Sequence, residues 1–311
     1  MSTDLPLSAP LPPIRPGSWA AWCVALRPRT LWIAMIPVLV ATSLAWSVAG
    51  VFDRATALIA MVASVAMQVV TNLQNDVGYA ERRVASSTRV GLPRATANGW
   101  LPARAVRWAM VATVATAVAV ALPLLVRGGW PVLAIGASST IAAYCYMGGP
   151  RPIAYTPFGE LTVFVFFGLV AVCGTYYIQA GRVDLPALLA AAAIGSHAAA
   201  VLLVNNFRDR SHDAATGRRT LPVAIGARAS LALYAVLGLV PFALAAALAV
   251  LLRSPWLLLP LLVLPRAARL AVELRTTPDG LAQNVLLFRT VMLEVAFGVL
   301  LSAGALARAW T

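Results

Sequence analysis

The sequence predicts an all-α polytopic membrane protein, and three observations support this fold class. First, 60% of the 311 residues are apolar and only 11% are charged, whereas roughly a quarter of the residues in an average soluble domain are charged. Second, the mean hydropathy is +0.82. Third, the apolar residues form runs of about 20, the length of helix that crosses a bilayer core of about 30 Å. These features exclude a soluble enzyme, a disordered chain and a secreted disulfide scaffold.

Nine such runs are present, and we interpret them as about nine transmembrane helices. They begin near Leu31, Ala55, Arg104, Trp130, Phe158, Leu185, Ala229, Pro255 and Asn284. Before the first run, residues 1–29 contain four prolines ahead of Arg15 and lack a compact apolar segment with a small-residue cleavage site. We therefore interpret residues 1–29 as a cytoplasmic N-terminal tail and residues 30–311 as a single transmembrane domain.

The arginines predict how the chain is oriented in the membrane. All 24 basic residues are Arg, and the formal net charge is +13. With the N-terminus in the cytoplasm, eighteen arginines fall on the cytoplasmic side and five on the other side, as the positive-inside rule requires. This predicts a multi-pass protein of the inner membrane with a cytoplasmic N-terminus. The arginines lie between apolar runs rather than in one patch, so we expect no nucleic-acid partner.

The loop after the sixth run carries two carboxylates at helical spacing. Asp209 and Asp213 are four residues apart, which on a continuing helix places both side chains on one face. Oxygen ligands at this spacing suit Mg²⁺, which binds one or two carboxylates together with water and phosphate oxygens. Arg208 and Arg218 are suitable donors to a diphosphate. The alternative is a charge network at the helix end made by the same groups.

The loop after the second run repeats this arrangement. Asn72, Asn75 and Asp76 end an apolar run, and Arg89 and Arg94 follow them. Polar groups at membrane depth cost several kcal/mol unless they are satisfied, which makes them functional candidates. Two similar clusters at the same face of the membrane predict one shared cavity, in which two metal sites would hold one diphosphate.

These residues resemble the UbiA superfamily of intramembrane aromatic prenyltransferases, and within it the 1,4-dihydroxy-2-naphthoate prenyltransferases of menaquinone synthesis. The stretch Asn205-Asn206-Phe207-Arg208-Asp209, followed by Asp213, is similar to the second aspartate motif of that branch. The stretch Tyr146-Met147-Gly148-Gly149-Pro150-Arg151-Pro152, followed by Tyr155 and Glu160, is similar to another of its motifs. The likeness covers nearly the whole chain apart from the tail.

The first aspartate motif departs from the family pattern. Members usually have an aspartate three residues after Asp76 and another six residues later, but this chain has Tyr79 and Ala85 at these places. One carboxylate therefore stands where the family commonly has more. The departure bears on the number of metal ions and on the aromatic acceptor.

The resemblance implies a UbiA-type bundle of nine helices around a central cavity that opens to the cytoplasm and to lipid. It also implies transfer of a polyprenyl group from polyprenyl diphosphate to an aromatic acceptor, with Mg²⁺ as the cofactor. For 1,4-dihydroxy-2-naphthoate, the product is demethylmenaquinone, with loss of CO₂ and diphosphate. The active site is expected to face the cytoplasm, and the partners are the two substrates and the lipid bilayer.

Specific roles follow from this resemblance for thirteen residues. The catalytic residues are Asp76, Asp209, Asp213 and Tyr146, and the three aspartates are also the metal ligands. The diphosphate is expected to bind Asn72, Asn75, Arg89, Arg94, Arg208 and Arg218. The acceptor is expected to bind Arg151, Tyr155 and Glu160.

Two other functions are compatible with parts of the sequence. A prenyltransferase of the same superfamily with a 4-hydroxybenzoate or homogentisate acceptor is one of them. The motifs that begin at Tyr146 and Asn205 argue against it, whereas Tyr79 leaves it open. A non-enzymatic transporter or lipid-binding membrane protein is the other. Transporters often place their binding sites at interrupted helices near the middle of the membrane, whereas the acids of this chain lie at one face. This distribution favours the enzyme.

Overall fold

The computed structural model describes residues 14–82, 91–277 and 282–310, and the part of the chain that it describes contains helices and loops but no β-strand. The α-helices are α1 (Trp19–Leu26), α2 (Leu31–Ala49), α3 (Arg54–Glu81), α4 (Ala103–Gly128), α5 (Trp130–Met147), α6 (Gly159–Ala180), α7 (Leu185–Arg208), α8 (Arg210–Ala215), α9 (Leu221–Leu251), α10 (Leu264–Thr276) and α11 (Ala282–Trp310). Short 3₁₀ helices span Pro28–Thr30, Ile153–Tyr155 and Pro255–Val263.

The expected number of membrane spans agrees approximately with the helices. Among the described residues, seven helical segments are long and apolar enough to cross a membrane. The other two predicted spans correspond to α5, which has 18 residues, and to the 3₁₀ helix Pro255–Val263 continued by α10. Prolines lack a backbone N–H, and Pro260 lies inside this 3₁₀ helix. This is the physical reason why the eighth span is irregular.

Helix α1 lies within the segment that we interpret as a tail. Its first turn is capped by Ser18, whose hydroxyl accepts a hydrogen bond from the backbone N–H of Ala21. Buried residues of α1 belong to the same apolar cluster as Leu73 and Val77 of α3. The division into a tail of 29 residues and one membrane domain stays a prediction.

Helix α7 is the most buried of the spanning helices, and small residues allow α6 to approach it closely. Residues Phe164–Cys173 of α6 form a π-helix. A Cβ atom added to Gly168 in this segment would lie 2.5 Å from the carbonyl oxygen of Ala191 and 2.7 Å from the Cα atom of Gly195. Close backbone contact of this kind is typical of helix packing in membranes.

A central cavity of about 370 Å³ lies between the spanning helices. Helices α2 to α7 and α11 contribute to its wall. It ends near the last turns of α3 and α7, where the loops that carry the predicted site residues begin. The fold therefore brings both sequence clusters to one end of one cavity.

Candidate active site

The cavity has one strongly polar end and a mainly apolar wall. Eight polar side chains lie near the ends of α3, α5 and α7 or in the loops beside them, namely Asn72, Asn75, Tyr79, Arg94, Tyr146, Asn205, Asn206 and Arg218. Further polar side chains on the wall are Arg27, Thr30, Ser64, Gln68, Thr71, Ser139, Thr162 and Thr175. Apolar side chains of the same wall include Ile33, Val38, Leu124, Val132, Phe166, Phe167, Val170, Ile178, Val201, Leu202, Leu287 and Val291. A cavity built in this way suits an elongated ligand with an apolar body and an anionic head.

Asp209 and Asp213 lie one helical turn apart, as their spacing predicts. The backbone N–H of Asp213 donates to the carbonyl oxygen of Asp209 at 2.8 Å, which carries the helical backbone across the junction of α7 and α8. The Asp209 side chain pairs with Arg208, with 2.8 Å between Oδ2 and Nη2. The Asp213 side chain pairs with Arg218, with 2.6 Å between Oδ1 and Nη1. Both carboxylates are buried and both are neutralised by an arginine.

Arg208 is also tied to two asparagine side chains. Its Nη1 donates to Oδ1 of Asn284 at 2.8 Å, and its Nη2 donates to Oδ1 of Asn205 at 2.9 Å. Arg208 does not contribute to the cavity wall, whereas Asn205 does. The charge network that we considered as an alternative is therefore present at this helix end, together with the cavity.

Asp76 occupies different surroundings from the other two aspartates. It is fully buried, and its carboxylate accepts hydrogen bonds from the backbone N–H groups of Ala95 and Thr96, each at 2.8 Å. The hydroxyl of Thr96 donates to the same carboxylate. These contacts fasten the segment that carries Arg94 to the end of α3.

The two predicted asparagines of α3 also differ from each other. The amide nitrogen of Asn72 donates to the carbonyl oxygen of Leu26 at 2.8 Å and to the hydroxyl of Thr30 at 3.1 Å. In contrast, the amide oxygen of Asn75 is buried and has no hydrogen-bond partner among the described residues. Asn75 lies on the cavity wall, so this oxygen is available to a ligand.

Tyr79 is a residue of the site that the sequence motifs did not select. It lies on the cavity wall with only 5% of its surface exposed. The guanidinium carbon of Arg94 is 4.3 Å from the centre of its ring, and that of Arg218 is 5.2 Å away. A signal was present in the sequence, because Asn72, Asn75 and Tyr79 have the spacing of one helix face.

The predicted acceptor residues are placed unequally around the cavity. Glu160 is buried beside it, and its Oε1 accepts a hydrogen bond from Nδ2 of Asn206 at 2.9 Å. Tyr155 packs in a cluster with Tyr79 and Tyr146 but does not contribute to the cavity wall, and burial raises the pKa of its phenol. Arg151 is exposed and does not contribute to the cavity wall. Arg89 and Ala85 lie outside the described residues.

Oxygen donors of the protein suit Mg²⁺ when phosphate oxygens of a bound substrate complete its coordination shell. Within residues 14–82, 91–277 and 282–310, no group of three or more His, Cys, Asp or Glu side chains is arranged to bind a metal ion. Mg²⁺ needs only one or two carboxylates when waters and phosphate oxygens complete its octahedron. The unpartnered oxygen of Asn75 on the cavity wall is a donor of this type. The carboxylates of Asp76, Asp209 and Asp213 have the same chemistry, but they do not contribute to the cavity wall and accept hydrogen bonds from the protein.

Sequence comparison relates this chain to a known family and to named enzymes. The sequence profile of the UbiA prenyltransferase family matches residues 34–297. The 1,4-dihydroxy-2-naphthoate octaprenyltransferase of Mycobacterium tuberculosis is 36% identical over 297 residues, which cover 94% of this chain and 98% of that protein. The enzyme of the same name from Escherichia coli is 33% identical, over 93% of this chain and 96% of that protein.

Solved structures show the same fold at low sequence identity. A UbiA homologue from Archaeoglobus fulgidus bound to DMAPP and Mg²⁺ superposes with a TM-score of 0.66 and 16% identity, over 91% of this chain and 99% of that chain. A digeranylgeranylglyceryl phosphate synthase gives a TM-score of 0.63 and 14% identity, over 93% of this chain and 98% of that chain. The family profile and the relatives above 30% identity both span most of this chain, which therefore belongs to the UbiA prenyltransferase family.

Proposed function

We propose that this prenyltransferase moves a polyprenyl group from polyprenyl diphosphate to 1,4-dihydroxy-2-naphthoate. The observation that carries the proposal is the cavity, which joins an apolar wall to an end lined by Arg94 and Arg218. Polyprenyl diphosphate has an apolar chain that matches the apolar wall and an anionic head that matches the two arginines. The names of the relatives from M. tuberculosis and E. coli support this choice of acceptor.

The bond changes of this reaction balance without a further co-reactant. The bond between the allylic carbon and the diphosphate oxygen breaks, and diphosphate leaves with the electron pair. The ring carbon that bears the carboxylate forms the new carbon–carbon bond to the prenyl group. CO₂ then departs and leaves its electron pair to the ring, which yields the reduced form of demethylmenaquinone.

The cationic end of the cavity would stabilise the departing diphosphate. Arg94 and Arg218 line the cavity, and guanidinium groups offer paired N–H donors that match phosphate oxygens. Such fixed charges act strongly where little water is present. We include Asn72 and Asn75, which line the cavity, and Arg208, which does not line it but is bonded to the wall residue Asn205. Arg89 belongs to the same proposed group and lies outside the described residues.

The three aspartates are proposed to have two different roles, which are metal binding and positioning of a loop. Asp209 and Asp213 are the proposed Mg²⁺ ligands, and Mg²⁺ bound there would neutralise charge on the diphosphate. The hydrogen bonds of Asp76 to Ala95 and Thr96 support a positioning role for Asp76. Its carboxylate holds in place the segment that presents Arg94.

The acceptor is proposed to approach from the side of Tyr146, Tyr155 and Glu160. Tyr146 lies on the cavity wall, and an aromatic face attracts a developing allylic cation without forming a bond to it. Arg151 is exposed and would meet the acceptor carboxylate on its way in. We place this entrance on the cytoplasmic face of the inner membrane, because eighteen of the 24 arginines lie on that side.

A panel of acceptors tests this proposal. Purified protein in detergent is given polyprenyl diphosphate, Mg²⁺ and one of three acceptors, namely 1,4-dihydroxy-2-naphthoate, 4-hydroxybenzoate or homogentisate. Product and diphosphate are both measured, and we expect turnover with the naphthoate. Release of diphosphate with a different acceptor alone would correct the acceptor, and no release with any of the three would refute the enzymatic function.

A further inference from the structure

Five arginine and tyrosine side chains alternate in a row, and three of them, Arg218, Tyr79 and Arg94, line the polar end of the cavity. This arginine–tyrosine row consists of Arg82, Tyr155, Arg218, Tyr79 and Arg94. Each guanidinium carbon lies between 4.3 and 5.4 Å from the centre of the neighbouring ring. These separations fall within the range of attraction between a cation and an aromatic face.

The row joins parts of the chain that are far apart in sequence. Tyr79 belongs to the last turn of α3, whereas Tyr155 belongs to the 3₁₀ helix Ile153–Tyr155 and Arg218 follows α8. Hydrogen bonds to backbone carbonyl groups hold its arginines, since Arg218 donates to Ala154 at 3.1 Å and Arg82 donates to Met147 at 3.2 Å. Two arginines of the row are therefore held by the backbone between α5 and α6 and at the end of α5.

Tyr79 lies between Arg94 and Arg218, the two arginines of the row that line the cavity, and it contacts both. Its ring lies under Arg94 and Arg218, and its hydroxyl accepts a hydrogen bond from Nη1 of Arg218. Nη1 of Arg218 also donates to Asp213, and Nη2 donates to Ala154. Nε of Arg218 is buried and has no hydrogen-bond partner among the described residues. The contact with Tyr79 therefore leaves this donor of Arg218 for an oxyanion.

Two buried cations near each other require a group that offsets their repulsion. Repulsion between like charges is strong where water is scarce, and Arg94 and Arg218 are both less than 10% exposed. Asp213 pairs with Arg218, and the electron-rich face of Tyr79 attracts both guanidinium groups. A tyrosine does this without the full negative charge with which an aspartate would compete against a diphosphate.

We propose that Tyr79 is a positioning residue that preorganises Arg94 and Arg218 to bind the diphosphate of the prenyl donor. This inference rests on the proposed function, since it takes the diphosphate as the ligand of the polar end. Long arginine side chains lose rotamer freedom when they bind, and a ring that restricts them beforehand reduces that loss. Tyr79 thus acts through the arginines and makes no bond to the reacting carbon.

Substitutions at Tyr79 test the inference through the binding of inorganic diphosphate. Titration calorimetry in detergent at a fixed Mg²⁺ concentration gives its Kd for each variant. Tyr79→Leu removes both cation–ring contacts, so we expect the Kd to rise about tenfold. Tyr79→Phe keeps the ring and loses only the hydroxyl, so we expect a rise of about threefold. The KM for polyprenyl diphosphate should follow the same order, and this partial rescue by Phe distinguishes positioning from packing.

An acidic replacement distinguishes positioning from the loss of a metal ligand. In Tyr79→Asp, the new carboxylate would pair with Arg94 or Arg218, so we expect weaker diphosphate binding than in the wild type. A variant that instead bound diphosphate more tightly and turned over faster at saturating Mg²⁺ would overturn the inference. The position would then be that of a missing metal ligand.

Tyr234 provides the matched control. It is also a buried tyrosine with a hydrogen-bonded hydroxyl, 2.8 Å from Oγ1 of Thr290, and it does not contribute to the cavity wall. Tyr234→Leu should lower the thermal midpoint and leave the Kd of diphosphate unchanged. If the wild-type protein turns over and Tyr79→Leu binds diphosphate with an unchanged Kd, the role of Tyr79 is refuted and the proposed function is not. A wild type that neither binds nor releases diphosphate would refute the proposed function as well.

Discussion

At the scale of single residues, three aspartates that look alike in the sequence have different partners in the structure. Asp209 and Asp213 each pair with an arginine, whereas Asp76 binds the backbone of the segment 95–96. Spacing predicted that Asp209 and Asp213 lie one turn apart, because the helix repeat determines which side chains share a face. It did not predict their partners, since these come from segments that only the tertiary fold brings close.

We predict that Asp76→Asn and Asp213→Asn affect different properties. Asp76→Asn should lower the free energy of unfolding by about 2 kcal/mol, because hydrogen bonds to a charged carboxylate are replaced by weaker ones. It should raise the KM for polyprenyl diphosphate and leave the Mg²⁺ requirement unchanged. Asp213→Asn should raise the Mg²⁺ concentration for half-maximal activity about tenfold or more, because one of its proposed ligands is lost.

Activity measured against Mg²⁺ concentration checks both variants, and an exposed ion pair serves as the control. Glu273 pairs with Arg289 at 2.9 Å, and both side chains are substantially exposed. Glu273→Gln should change neither activity nor Mg²⁺ requirement, because exposed pairs contribute little to stability. If Asp76→Asn shifted the Mg²⁺ requirement as Asp213→Asn does, Asp76 would be a metal ligand.

At the scale of helices, capping and close packing hold the cavity walls together. Asp53 caps the start of helix α3, because its carboxylate accepts a hydrogen bond from the backbone N–H of Thr56 at 2.8 Å. The backbone of Asp53 also exchanges two hydrogen bonds with the side chain of Gln179, near the end of α6. Helix ends of this kind are readable from sequence, because Asp is a preferred N-cap. The contact with Gln179 is not readable, because 126 residues separate the two positions.

The cap at Asp53 leads to a prediction about pH. The backbone N–H of Thr56, and then the Arg127 guanidinium, lower the pKa of Asp53 from 3.8. A lowered pKa in the folded protein means that the stabilisation is present above the ordinary pKa and is lost as the pH falls through the folded value. Asp53→Ala should therefore lower the thermal midpoint at pH 6, and the difference from the wild type should shrink as the pH falls below 3.8.

Thermal unfolding in detergent across this pH range measures the difference. Glu81→Ala is a suitable comparison, because it removes an exposed ion pair with Arg107 and caps no helix start. We expect it to have little effect at any pH. A difference for Asp53→Ala that stayed constant down to pH 3 would show that the carboxylate charge does not stabilise α3.

The crossing of α6 and α7 gives a second prediction at this scale. A Cβ atom at Gly168 would lie 2.5 Å from the carbonyl oxygen of Ala191, which is closer than non-bonded atoms approach. Gly168→Ala should force the helices apart and destabilise the protein by about 1–3 kcal/mol. The thermal midpoint in detergent should fall accordingly.

Gly238 in α9 is the control for this substitution. It is also a buried helical glycine, but a Cβ atom there would meet nothing within 4 Å. Gly238→Ala should leave the midpoint unchanged or raise it, because alanine favours a helix by about 1 kcal/mol over glycine. Equal midpoints for the two variants would contradict the close packing of α6 against α7.

At the scale of the whole molecule, the low charge fraction and the excess of arginine have separate causes. The apolar runs form the spanning helices, and Arg94 and Arg218 contribute the positive charge at one end of the central cavity. Composition and run length predicted this architecture, because a bilayer imposes one length on every span. The π-helix Phe164–Cys173 and the row around Tyr79 were not predicted, since they depend on packing between helices.

We propose that the cavity couples departure of diphosphate to replacement of the carboxylate of a naphthoate ring. The most direct test uses 1,4-dihydroxy-2-naphthoate labelled at its carboxyl carbon, with polyprenyl diphosphate and Mg²⁺, and measures labelled CO₂ and diphosphate together over time. We predict that one CO₂ appears for each diphosphate released, together with a prenylated product that lacks the label. Diphosphate release without labelled CO₂, or a prenylated product that retains the carboxylate, would contradict the account.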